Sequence, residues 1–143
     1  QINLMNFSNI ENFFFLYELN TRWNDMDTFG HVNNAVFLTY IEDARISFSK
    51  RWGLDDQKRS IIMVSVKMDY HQQVRHPTSL IVGQRISRIG KTSFDIQAAI
   101  FIKDDPNPAA SAVITCVCFD YEQNKSVSVY SEIISDFQQD KAG

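Results

Sequence analysis

The stretch Asn24–Arg45, NDMDTFGHVNNAVFLTYIEDAR, sets two carboxylates, a turn and a helix start side by side. Asp25 and Asp27 stand two positions apart, and Gly30 supplies a turn. Asn33 or Asn34 can cap a helix, because an Asn side chain accepts from the open N–H groups of a first turn. From there Phe37, Ile41, Ala44, Phe48 and Trp52 recur at steps of four, three, four and four, which is one apolar helical stripe. Glu42, Asp43, Arg45 and Lys50 fall mostly off it, and Gly53 follows as a stop signal. The spacing predicts a helix of about 20 residues, roughly 30 Å long.

Around this helix the pattern is that of strands. Asn12–Trp23 is rich in aromatic residues and lacks Gly and Pro. Ser60–Gln73, Leu80–Ile89, Thr92–Lys103 and Ala109–Tyr121 read as long strands, and Ser126–Tyr130 as a short one. Gly90-Lys91, Asp104–Pro108 and Glu122–Lys125 are turns, and Pro77 bars a central strand at its position. The last dozen residues read as a frayed helix or tail. The expected fold class is α+β: an antiparallel sheet wrapped around one long central helix, in a single domain over residues 1–143.

Composition narrows the function. Of 143 residues, 44% are hydrophobic and 22% charged, which suits one globular domain with a sizeable core. The net charge of −3 and the lack of a basic block argue against a nucleic-acid partner. No apolar run is long enough for a membrane span, and no signal peptide is visible. Cys116 and Cys118 fall on one face of a strand, with no second Cys/His cluster, and read as reduced core residues of an intracellular, cytoplasmic protein.

The opening stretch admits several readings. The bland one is a polar surface loop with a helix cap. An EF-hand calcium loop also begins D-x-D with Gly at its sixth position, but Phe29 stands at the fifth and Val36 at the twelfth, where ligands are required. A haloacid-dehalogenase-type phosphotransferase wants Thr or Val where Phe29 stands, inside a larger βαβ domain. A metal site from Asp25, Asp27 and His31 lacks a further ligand cluster. Acyl transfer to water fits better. A helix N-terminus carries unpaired N–H groups and partial positive charge, which polarise a thioester carbonyl and stabilise its oxyanion. A carboxylate beside it can attack the carbonyl or take a proton from water. Asp27, Gly30 and Asn33-Asn34 supply carboxylate, turn and helix start in that order.

The run D-M-D-T-F-G-H-V-N-N-A-V-F-L-T-Y-I-E-D-A-R closely resembles the signature of the hot-dog-fold acyl-CoA thioesterases of the 4-hydroxybenzoyl-CoA thioesterase-like family, D-x-D-x-x-G-H-V-N-N followed by a helix with Y-x-E-x-A-R. RIGKTSFDIQAAIF and AVITCVCFDYEQNKSV extend the resemblance over nearly the whole chain; HQQVRHPTSL departs from it, with Thr78-Ser79 in place of an acidic-Gly pair. The resemblance implies an acyl-CoA thioesterase in which Asp27 is the catalytic carboxylate and the helix-start N–H near Asn34 polarises the carbonyl. His31 joins them as a candidate, either touching substrate or holding the loop. Gly30, Val32 and Asn33 are candidate substrate-binding residues, and the turn cations Arg88 and Lys91 are candidates for the coenzyme A phosphates. No metal and no cofactor is expected, coenzyme A being part of the substrate. The resemblance further implies a homodimer or homotetramer with sites at the dimer interface. The rival readings are a non-catalytic acyl-binding hot-dog protein and an acyl-carrier-protein thioesterase.

Overall fold

The computed structural model describes residues 9–55 and 57–142, with side chains through residue 140. Strand β1 (Phe15–Asn20) precedes helix α1 (Asn34–Ser49). Strands β2 (Arg59–Tyr70), β3 (Ser79–Ile89), β4 (Ser93–Ile102) and β5 (Pro108–Asp120) follow, then the two-residue β6 (Lys125–Ser126) and helix α2 (Ser131–Ala142). The sheet is antiparallel throughout, in the order β1-β3-β4-β5-β2, with β6 against β5.

Strand alternation builds the core. Successive side chains point to opposite faces, so β5 turns Ala110, Ala112, Ile114, Cys116 and Cys118 into the main core cluster. Leu80, Val82 and Ile86 of β3, and Phe94, Ile96 and Ile100 of β4, join them. The α1 stripe meets this face: Phe37, Ile41, Ala44, Phe48 and Trp52 are all buried. Phe48 stacks on Phe15 at 4.9 Å, and Trp52 meets the edge of Phe94 at 5.6 Å. Each large side chain so buried contributes about 1.5–3 kcal/mol. Both cysteines are free and buried, and burial pushes the Cys116 thiol up to about 12.

The expected helix and long strands are present with shifted ends, but the short last strand is Lys125–Ser126 and not Ser126–Tyr130, because only those two residues pair with β5. The α-helix stops at Ser49, and Lys50–Trp52 continue as a 3-10 turn into Gly53, whose φ of 65° is easy only for glycine. The stripe outlasts the α-helix because Trp52 still points inward from that turn. β1 is shorter than its aromatic run, because 3-10 turns at Ile10–Asn12 and Trp23–Asp25 bracket it.

The C-terminal segment corrects the sequence reading. It is a helix, one of the two expected forms, but not a frayed one: Ile133 is fully buried, and Ile134 and Phe137 pack on the main core. Asp136 pins it, accepting from Trp52 Nε1 at 2.8 Å and from Arg51 Nε and Nη2 at 3.0 and 2.9 Å. Asp136→Ala leaves the Trp52 N–H buried and unpaired, and should cost about 2–3 kcal/mol in denaturant unfolding. Asp136→Asn, which keeps an acceptor, should cost less. A loss below about 0.5 kcal/mol for Asp136→Ala, the range of an ordinary surface change, would show that α2 is not anchored through this carboxylate.

Candidate active site

The loop between β1 and α1 is closed by backbone pairing. Met26 bridges Val32, and Asp27 N–H donates to the His31 carbonyl at 2.7 Å. Gly30 turns the chain with φ of 82°. The Asp27 carboxylate sits inside this turn: its Oδ1 accepts from Phe29 N–H at 2.8 Å and from His31 N–H at 3.2 Å. Its Oδ2 takes no hydrogen bond among the described residues.

Asp25 does different work. It is 1% exposed, ion-paired to Arg22 at 3.0 Å, and accepts the Tyr40 hydroxyl at 2.7 Å and the Arg22 N–H at 2.8 Å. Burial alone would raise its carboxyl. The Tyr40 hydroxyl, the Arg22 N–H and the guanidinium outweigh that and hold it below the usual range. Burial, with the bond to Asp25, pushes the Tyr40 hydroxyl up. Asp25 thus ties the loop to α1, and its backbone carbonyl accepts from Asn33 N–H at 3.0 Å.

Asn33 is the N-cap, its side chain accepting from Ala35 N–H at 2.9 Å. Val36 N–H goes to the Asn33 carbonyl at 2.9 Å. Asn34 N–H is left without a hydrogen-bond partner among the described residues. From the far strand, the Tyr70 hydroxyl donates to the Asn34 carbonyl at 3.0 Å, and the Tyr70 ring meets Phe37 edge-on at 5.6 Å.

These groups line one cleft of about 690 Å³. Asp27, His31, Val32, Asn33 and Asn34 all border it, as the sequence motif suggests. Gly30 is not on its wall; it serves the turn, and a side chain there would meet the Arg75 guanidinium at 3.5 Å. Phe29, Phe37 and residues 70–73 also line it. Phe37 was legible only as core. Tyr70 and His71 lie on a strand end that no local motif links to Asp27. His71 Nε2 pairs with the Ser111 hydroxyl at 2.8 Å, whereas His76 lies off the cleft and pairs with Thr21 at 2.8 Å.

Arg88 and Lys91 are not on this cleft. Arg88 is held by Asp95 (2.9 and 3.1 Å) and Ser93 (3.0 Å). The bond to Asp95 raises the guanidinium further. Burial alone would raise the Asp95 carboxyl, but Arg88 and Thr115 outweigh it and hold that group below its usual range. Lys91 borders a second cleft of about 700 Å³ with the cations Lys58, Arg59 and Lys125 and the carboxylates Asp55 and Asp120, beyond the C-terminal end of α1; Arg59 there is already paired with Glu132 at 2.9 Å. Among the described residues no group of three or more His, Cys, Asp and Glu side chains converges as a metal site, and no helix is long and apolar enough to cross a membrane.

Comparison with known proteins places this architecture. The model of the thioesterase-like superfamily matches residues 21–137. The long-chain acyl-CoA thioesterase FadM of Escherichia coli is 23% identical over 127 residues, spanning 85% of this chain and 96% of that protein. The crystal structure of the PA5185 protein of Pseudomonas aeruginosa superposes with a TM-score of 0.82 at 26% identity, over 90% of this chain and 92% of that one. A thioesterase of Thermus thermophilus, solved with coenzyme A and Zn, gives 0.79 at 24% identity, over 93% and 98%. With a matched region that takes in the loop, the helix and every strand but β1, the chain belongs to the thioesterase-like superfamily and is a thioester hydrolase on the hot-dog fold.

Proposed function

We propose that this chain hydrolyses acyl-CoA thioesters to the free acid and coenzyme A, using Asp27 as nucleophile or general base and the Asn34 N–H to polarise the carbonyl. The observation that carries the reading is the pairing of an uncommitted carboxylate oxygen, Asp27 Oδ2, with an uncommitted helix-start N–H on one cleft. In the base route Asp27 takes a proton from water, the hydroxide attacks the carbonyl carbon, and the oxyanion forms against Asn34 N–H. The C–S bond then breaks, and the coenzyme A thiolate takes the proton back from Asp27. In the covalent route Oδ2 attacks directly, the thiolate leaves, and water cleaves the mixed anhydride. His31 lies beside the carboxylate and bears on the substrate from the loop side.

Asp27→Asn should lower kcat at least about 100-fold in a thiol-release assay. After one turnover in heavy-oxygen water, label in Asp27 marks the covalent route with water attacking the Asp27 carbonyl carbon. Near-normal turnover in a folded Asp27→Asn preparation would falsify the role. Asp25→Asn should act on stability instead, costing about 1–3 kcal/mol at pH 7. Because the folded Asp25 carboxyl lies below its ordinary value near 3.9, its stabilisation is present above that value and is lost as pH falls through the lower folded one. The gap between wild type and Asp25→Asn should therefore close in unfolding curves taken below about pH 4.

The open sheet edge supports assembly as a pair. β2 is an edge strand of 12 residues with Val64 57% and Val66 36% exposed, an open template for pairing. Two copies paired antiparallel along β2 about a two-fold axis would bring the Arg59 end of one strand to the Tyr70 end of the other. The Lys91 cleft of one chain, with Lys58 and Lys125 on its wall, would then stand beside the Asp27 cleft of its partner, within reach of the coenzyme A phosphates. Light scattering should give a dimer or a dimer of dimers, and Val64→Lys should shift it toward monomer with loss of activity. A fully active monomeric wild type would rule the pairing out.

Within that arrangement the two turn cations differ. Arg88 is already neutralised by Asp95, whereas Lys91 makes no ion pair among the described residues. Lys91→Ala should raise KM for acyl-CoA several-fold with little change in kcat, and the effect should shrink in high salt. Arg88→Ala should leave KM nearly unchanged. The reverse ranking would contradict this assignment.

A further inference from the structure

We infer that Gln84 is a specificity residue selecting acyl groups that carry a hydroxyl along the chain; this rests on the acyl-CoA thioesterase reading above. Gln84 is fully buried, and neither Nε2 nor Oε1 finds a hydrogen-bond partner among the described residues. Its direction is fixed by strand alternation. Gly83, beside it, turns to Phe13 on the outer face, whereas Leu80, Val82 and Ile86 share the Gln84 face and belong to the core under α1. The amide therefore points into the layer between sheet and helix, where an unpaired donor and acceptor are costly.

Its row across the sheet has two small side chains, Ala98 and Ala112, between Gln84 and Met68, and Phe15 on the other side of Gln84. Gln84 pairs with Ala98, Ala98 with Ala112, and Ala112 with Met68. Ala98 and Ala112 are both buried. The row ends at Met68, one contact short of the Asp27 cleft: the Tyr70 hydroxyl, which borders that cleft and binds the Asn34 carbonyl, lies 3.9 Å from Met68 Sδ. From β2 to β3 the lane crosses three strand spacings, about 14 Å. Met68 is the adaptable gate, since an unbranched thioether changes rotamer readily. A plain alkyl chain laid in this lane would leave the Gln84 amide unpaired. A hydroxyl at its end accepts from Nε2 and donates to Oε1, satisfying both atoms with one group.

The test compares dodecanoyl-CoA with a series of hydroxydodecanoyl-CoAs in which the hydroxyl moves carbon by carbon. Wild type should hydrolyse at least one hydroxylated isomer with higher kcat/KM than the parent. In Gln84→Leu and the near-isosteric Gln84→Met that preference should fall about 10-fold or more, as a site built to bond a hydroxyl behaves when the bond is removed. Both variants replace a buried unpaired amide by an apolar group, so their Tm should hold or rise, and either suffices if the other misfolds. A preference for the parent in wild type, or a preference unchanged in the variants, overturns the proposal and leaves Gln84 a structural residue. Binding of the free dodecanoic and hydroxydodecanoic acids, followed by thermal shift, reads the same preference without turnover. Absence of thiol release from every acyl-CoA would sink the thioesterase reading, while the thermal-shift comparison would still decide the role of Gln84.

Discussion

The burial of one helical stripe in the concave face of an antiparallel sheet governs everything else in this molecule. Phe37, Ile41, Ala44, Phe48 and Trp52 are sealed from water by that face. Because the contact runs the length of α1, it fixes where both helix ends lie. The N-terminus emerges beside the end of β2, where the Tyr70 hydroxyl reaches the Asn34 carbonyl. The C-terminus emerges beside the start of β4, where Trp52 meets Phe94 and α2 closes the end through Asp136. A helix end with open N–H groups is a reactive feature only if something holds it against a cleft, and here the core does so.

The two aspartates of the loop show how one short motif divides its labour. Asp25 is buried, charged and saturated by Arg22 and Tyr40, so it cannot also react. Its work is to tie the loop to α1. Asp27 uses one oxygen to order its own turn and keeps the other open on the cleft. Position along the chain separates them by two residues. Burial and partner count separate them chemically, and only the second aspartate has a lone pair to spare.

Charge is distributed by the same logic. Arg88 near the end of β3 and Lys91 in the turn after it are close in sequence, yet Asp95, itself held by Thr115, neutralises the first, while the second borders an open cleft of mixed charge. That cleft lies at the opposite end of α1 from Asp27. The proposed function therefore draws on a pair of chains joined along β2, which would set the two clefts of different chains side by side.

The sequence by itself determined the central helix, the four long strands, the turns and the carboxylate–turn–cap order of the loop. Each of these is written in local periodicity, in Gly and Asn placement, or in a motif a few residues long. It also allowed a frayed C-terminus, because α2 is held by contacts that no short window contains: Ile133 in the core, and Asp136 on a tryptophan more than eighty residues away. Only the tertiary structure decided that Asp25 is buried, that Tyr70 and His71 share a wall with Asp27, that Arg88 is already paired, and that Gln84 faces inward without a partner. The physical reason is common to all four. Partner, burial and direction of a side chain depend on strand register and on which elements the core presses together. Those are properties of pairings distant in sequence.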